Sequence, residues 1–94
     1  MALKTTLYDP AEYLDTPGRI AAYLRAAFED GEPNLITAAL GDVARAKGMT
    51  QLAAEAGVTR EALYKALSAT GDPRLSTLLG VMKALGIKLT PRAA

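Results

Sequence analysis

A chain of 94 residues with a net charge of +1 has room for one domain. Half of the residues are hydrophobic, many of them alanine, so the expected core is thin and dimerisation would help to stabilise it. Cysteine, histidine and tryptophan are absent, which excludes a disulfide framework, a thiolate metal site and the commonest general base.

No run of about 18 apolar residues offers a membrane span. The opening MALKTTLYDP lacks the apolar stretch of a signal peptide. The expectation is a cytoplasmic protein without membrane partners. Charge is unevenly spread. Residues 1–33 carry three basic and six acidic side chains, residues 34–94 eight basic and four acidic. An acidic front and a basic back suggest two surfaces for two partners.

The segment LKTTLYD has extended character, ended by Asp9-Pro10. A short helical turn over AEYL is expected next. Thr16 is a good N-cap with Pro17 at the first helical position, and Ile20, Tyr23, Leu24, Ala27 and Phe28 recur at helical spacing until Gly31. A second helix is predicted from Pro33 to Lys47, with Leu35, Ile36, Ala39, Leu40, Val43 and Ala44 as its apolar stripe and Gly48 as its stop. Residues 49–56 form a two-turn helix with Leu52, Ala53 and Ala56 inward. Gly57 supplies a left-handed turn, Val58 fills the space beneath it, and Thr59 caps a helix from Arg60 to about Ser68. After the loop SATGDP, a last helix covers roughly Arg74 to Leu85. Its inner side is read as Leu75, Leu78, Leu79, Met82 and Leu85, with Gly80 as a close-packing point and Gly86 as the stop. IKLT reads as a short strand. The chain is therefore expected to be all-α, with short terminal strands.

Two helices joined by a glycine turn make a helix-turn-helix, and the major groove of DNA admits such a second helix. At about 100° per residue, Arg60, Glu61, Tyr64, Lys65 and Ser68 fall within roughly 140° of one another. Ala62, Leu63, Ala66 and Leu67 take the opposite arc. Arg or Lys pairs with guanine edges and Glu accepts from cytosine, so this polar face suits base reading. Arg60 and Lys65 are the leading DNA contacts. Thr59 is first a cap and secondly a phosphate contact through its backbone N–H. Glu61 has the alternative of pairing with Lys65, and Tyr64 that of a packed surface ring. Arg45, Lys47 and Arg74 flank the motif and fit phosphate contacts.

These blocks carry a resemblance. Residues 34–89 look like the five-helix Cro/cI-type helix-turn-helix domain. The run LGDVARAKGMTQLAAEAGVTREALYKALSATGDPRLSTLLGVMKALGIKL resembles the addiction-module antidote proteins, the antitoxins of type II toxin–antitoxin pairs. The N-terminal YDPAEYLDTPGRIAAYL is similar too. The resemblance implies a homodimer bound to a palindromic double-stranded operator upstream of its own operon. It also implies neutralisation of a small basic toxin of the RelE/ParE-like class, encoded nearby. The recognition positions carry over as Thr59, Arg60, Glu61, Tyr64 and Lys65. Many relatives in the wider superfamily hold a phosphate-binding glutamine at the start of the first helix of the motif. Here Met49 stands there and the glutamine is Gln51, so the phosphate clamp is expected to differ.

The resulting organisation is an N-terminal extension with one helix, residues 1–33, packed on a DNA-binding domain, residues 34–94. The acidic N-terminal third is a candidate toxin-facing surface. Leu78, Leu79, Met82, Leu85 and Ile87 are candidates for the dimer contact, with the intramolecular core as their alternative fate. Two other readings stay open: a stand-alone phage-type repressor, and a protein-interaction module that does not bind DNA. An enzyme is not expected. No pair of carboxylates, Lys, Tyr or Ser forms a catalytic constellation, Ser68 and Ser76 have no base nearby in sequence, and no glycine-rich phosphate loop is present. No cofactor or metal is implied.

Overall fold

The computed structural model describes residues 14–94. Five helices follow in chain order: α1 (Pro17–Asp30), α2 (Pro33–Lys47), α3 (Met49–Ala56), α4 (Arg60–Ala66) and α5 (Leu75–Ala84). Four of them lie between residues 33 and 84; the fifth, α1, comes from the N-terminal third. The extended reading of LKTTLYD lies outside the described residues. So does the AEYL turn apart from Leu14, which is buried but not helical.

Local chemistry explains the helix ends. The Thr16 hydroxyl accepts the Arg19 N–H at 3.2 Å, and Pro17 occupies a position whose missing N–H costs nothing. Gly48 ends α2 and begins α3 at once: its φ of 110° lets the chain redirect without an intervening loop. Its N–H donates to the Ala44 carbonyl at 2.8 Å.

One apolar cluster runs through all five helices, and α3 lies at its centre, against α2, α4 and α5. Leu24, Leu40, Val43, Leu52, Leu63 and Val81 are its largest fully buried side chains. α1 packs on α2, where the Tyr23 hydroxyl donates to Asp42 Oδ2 at 2.6 Å. Asp42 also pairs with Arg45, so one carboxylate ties a phenol of α1 to a guanidinium of α2. Thr37 is buried, and its hydroxyl donates back to the Pro33 and Asn34 carbonyls, which satisfies it.

Leu35, read in the apolar stripe of α2, faces solvent, and three further expectations change. First, α5 is rotated from the stripe read in its large residues. Val81, Met82 and Leu85 are buried and Leu78 is half-buried, but Leu75 and Leu79 face solvent. The cause is Gly80: a Cβ there would lie 3.2 Å from the Ala56 carbonyl oxygen, so α3 sits directly on the small-residue side of α5. That side, which also holds Thr77 and Ala84, joins the interior and turns the Leu75–Leu79 row outward. Met82 and Leu85 are therefore used within the chain's own core and are not free for a dimer contact.

Second, α4 stops at Ala66 instead of about Ser68. The Ser68 N–H and hydroxyl both turn back to the Lys65 carbonyl, at 3.4 and 2.9 Å, and tighten the last turn. Third, IKLT is not a strand. The Ile87 N–H is taken by the Met82 carbonyl at 2.9 Å, in the turn that closes α5. No strand occurs among the described residues, so nothing there offers IKLT a pairing edge.

The loop after α4 returns against the helix it leaves. A Cβ on Gly71 would fall inside the contact distance of the Ala66 carbonyl oxygen and 2.6 Å from that of Lys65. Gly71→Ala is thus expected to cost about 1–3 kcal/mol, the range for forced overpacking, and to lower Tm by about 4–8 °C per kcal/mol. Gly18→Ala, where nothing lies within 4 Å, is expected to leave Tm unchanged or raise it. Thermal melts of the two variants compare close approach with free space; equal shifts would refute the tight return at Gly71.

Candidate nucleic-acid interface

The segment 49–66 builds its surface from a closed turn. Gly57 takes φ 77°, its N–H reaches the Ala54 carbonyl at 3.2 Å, and the Val58 N–H reaches that of Ala53 at 3.0 Å. This pair of bonds is the Schellman arrangement, which needs a left-handed residue and puts an apolar side chain just after it. Val58 is half-buried in that role. Thr59 is extended, and its hydroxyl accepts the Ala62 N–H at 3.0 Å. One turn thus both ends α3 and starts α4.

α4 is anchored by Leu63 and followed by Leu67, both buried, while Arg60, Glu61, Tyr64 and Lys65 are exposed. The Arg60 guanidinium carbon lies 5.0 Å from the centroid of the Tyr64 ring, and its Nη2 donates to the Tyr64 hydroxyl at 3.4 Å. Glu61 and Lys65 make no ion pair with each other or with any described residue, so the local pairing alternative is not realised. Ala62, placed on the inner arc by periodicity, is exposed. Nothing in the spacing distinguishes it from Ala66, because a methyl fits either side.

Beside this face runs an open groove between the end of α4, the loop 67–74 and the start of α5. It brings Lys65 and Arg74 together with Ser68, Thr70 and Thr77. Asp72 also lines this groove. The hydroxyls at Thr70 and Thr77 were not singled out in the sequence; only the fold of the loop brings them to the groove.

The remaining candidates are more dispersed. Arg45 is exposed on α2 but engaged by Asp42. Lys47 is exposed in the last turn of α2. The Gln51 amide donates to Glu55 at 3.1 Å, one turn along α3, which sets a carboxylate beside it. Met49 is buried, so that position presents no side chain to a phosphate. No group of three or more Asp and Glu among the described residues is placed to hold a metal ion.

A family described as "probable addiction module antidote protein" matches residues 4–93. The chain belongs to that family. A relative from Haemophilus influenzae, named only as an uncharacterized protein, is 47% identical over 81 residues, covering 86% of this chain and 84% of its own length. No solved structure matches the chain. The antidote family implies a toxin as partner. Among the described residues, no helix is long and apolar enough to cross a membrane.

Helix α4 is short, so its start depends on its cap. Thr59→Ala is expected to lower stability by about 1 kcal/mol, and Thr59→Ser to restore most of it. Urea denaturation checks both. A Thr59→Ala chain as stable as the parent would mean that the cap does not hold α4 in place.

Proposed function

We propose that this antidote is an antitoxin that also represses its own operon, with residues 49–66 acting as a DNA-binding helix-turn-helix of the Cro/cI type. The observation that carries the reading is the outward face of α4. Arg60, Glu61, Tyr64 and Lys65 are exposed on one side of a helix whose other side is anchored by Leu63 and whose start is locked by the Gly57 turn. Such a helix enters a major groove, Arg60 and Lys65 reading guanine edges and Glu61 a cytosine amine. Arg74 in the groove, with Lys47 and Arg45 on α2, supplies phosphate contacts that set register. Gln51 keeps a second amide N–H for such a contact, but the Glu55 carboxylate that takes the first one lies beside it and opposes a phosphate. The Thr59 hydroxyl is committed to capping, so Thr59 meets a phosphate through its backbone N–H.

The active form is a homodimer, each copy reading one half of a palindrome. Its interface runs along the outer row of α5, where Leu75 is 68% and Leu79 46% exposed. The toxin is a small basic protein of the RelE/ParE-like class, encoded nearby. It meets the acidic corner between α1 and α2, where Asp30 and Glu32 are exposed and Glu29 is shared with Arg92 at 3.3 Å.

Fluorescence anisotropy on the DNA just upstream of the gene, beside scrambled DNA and at two salt concentrations, tests the repressor reading. The expected result is selective binding that weakens with salt. Arg60→Ala is expected to cost about 1–3 kcal/mol on the operator and to relax selectivity at one base pair. Equal loss on both DNAs would make Arg60 a phosphate contact. No selectivity at either salt would favour a protein-interaction module. Absence of a toxin gene beside a selective repressor would favour a stand-alone regulator. For the dimer, Leu79→Glu is expected to shift sedimentation equilibrium toward monomer with an unchanged helical spectrum; an unshifted dimer would move the interface off α5.

A further inference from the structure

The Arg60–Tyr64 pair points beyond a list of exposed side chains. A free arginine on a short helix has several rotatable bonds, and holding it in one rotamer costs up to about 2 kcal/mol of side-chain entropy. Here the side chain is already held twice. Its guanidinium lies over the Tyr64 ring at 5.0 Å, and its Nη2 donates to the ring's hydroxyl at 3.4 Å. Both residues are exposed, so the core does not impose this arrangement. It follows from their spacing of four along α4 and from the length of the arginine.

The two groups use different parts of the guanidinium. The ring draws the guanidinium carbon over it at 5.0 Å, and its hydroxyl takes one N–H of Nη2. Base reading uses the guanidinium's in-plane edge, where two N–H donors meet guanine O6 and N7. Of the five N–H donors one is given to Tyr64, and four remain. Stacking and base reading are therefore compatible at the same moment. Tyr64 offers less: its hydroxyl accepts from Arg60 and keeps a single O–H to donate, without the paired donors that a guanine edge requires.

We propose that Tyr64 is a positioning residue for Arg60: it holds the guanidinium ready for a guanine and does not read a base itself. This rests on the DNA-binding reading above. It predicts that the two residues act as one unit, so that whatever Tyr64 contributes to operator recognition passes through Arg60.

The test is a double-mutant cycle by anisotropy on the operator and on single-base variants of it. Tyr64→Leu is expected to weaken operator binding about two- to fivefold, the range of an exposed cation–π pair, and to relax discrimination at the base pair that Arg60→Ala relaxes. Tyr64→Phe, which keeps the stack, is expected to restore most of that discrimination. In an Arg60→Ala background, Tyr64→Leu is expected to change nothing further. In the free protein, the Arg60 side-chain protons are expected to show an upfield ring-current shift in NMR that Tyr64→Leu removes and Tyr64→Phe keeps. An equal loss from Tyr64→Leu with and without Arg60, a change of preference at a different base pair, or no ring-current shift would overturn the proposal. These outcomes appear against a wild-type chain that binds selectively. A wild-type chain without selectivity would instead remove the DNA-binding reading, and this proposal with it.

Discussion

The interface depends on the left-handed residue at position 57. A non-glycine side chain there would meet no neighbour; the obstacle is its own backbone, since φ 77° brings a Cβ too close to the following carbonyl. With glycine, the last carbonyls of α3 are satisfied by the N–H groups of Gly57 and Val58, Val58 turns toward the core, and Thr59 is delivered in the extended conformation that a cap needs. Remove the turn and α3 has no reason to stop before α4 begins. The two would compete to be one longer helix, and Leu52 and Leu63 could not both reach the same core. The direction of α4, and with it the set of side chains shown to solvent, is thus fixed by backbone hydrogen bonds before any partner is considered.

The same device recurs at the other end. Gly86 takes φ 76°, its N–H reaches the Lys83 carbonyl at 3.0 Å, and the Ile87 N–H reaches that of Met82 at 2.9 Å. Both glycines are followed by a β-branched apolar residue packed on the core, Val58 in one case and Ile87 in the other. Between these turns the chain relies on missing side chains of a second kind. Gly41 lets α2 approach the Leu67 carbonyl, where a Cβ would lie 2.6 Å away, and Gly80 lets α5 approach Ala56. A core built largely from alanine and leucine has few large side chains to fill gaps. It reaches native packing by bringing backbones close.

This explains which parts of the fold were legible. The helix ends marked by Pro17, Gly31, Gly57 and Thr59 announced themselves, because each acts through its own backbone or a partner three or four residues away; the end of α4, with no such residue, did not. Faces made of large apolar residues were legible in α1 and α3, where Ile20, Leu24 and Leu52 are buried as the spacing predicts. The face of α5 was not. Its burial is decided by Gly80 against Ala56 of α3, and small residues carry no periodic signal of their own. IKLT misled for a related reason: strand propensity describes a residue's fit to a pleated surface, and no such surface is present among the described residues. At the candidate interface, the outward set Arg60, Glu61, Tyr64 and Lys65 could be read from 3.6-residue geometry. The choice among local partners could not. Tyr64 and Glu61 were both within reach of a cation one turn away, and the structure pairs the phenol with Arg60 while leaving the carboxylate unpaired.

On the proposed reading, charge also explains why two copies are needed. The chain's net charge is only +1, and the cations near α4 are few: Lys65 and Arg74 in the groove, Lys47 free on α2, Arg45 shared with Asp42. Each phosphate neutralised contributes about −0.9 to the dependence of log K on log salt. A monomer with so few contacts would lose most of its affinity at physiological salt. Two copies on one duplex double the contacts, and the second copy binds at an effective concentration set by the dimer. The outer row of α5 begins at Leu75, one residue after Arg74. A contact made there would fix the spacing between two α4 helices through a single loop, the one drawn tight at Gly71. Affinity would then be a property of the dimer, and base selection a property of the Arg60–Tyr64 unit within each copy.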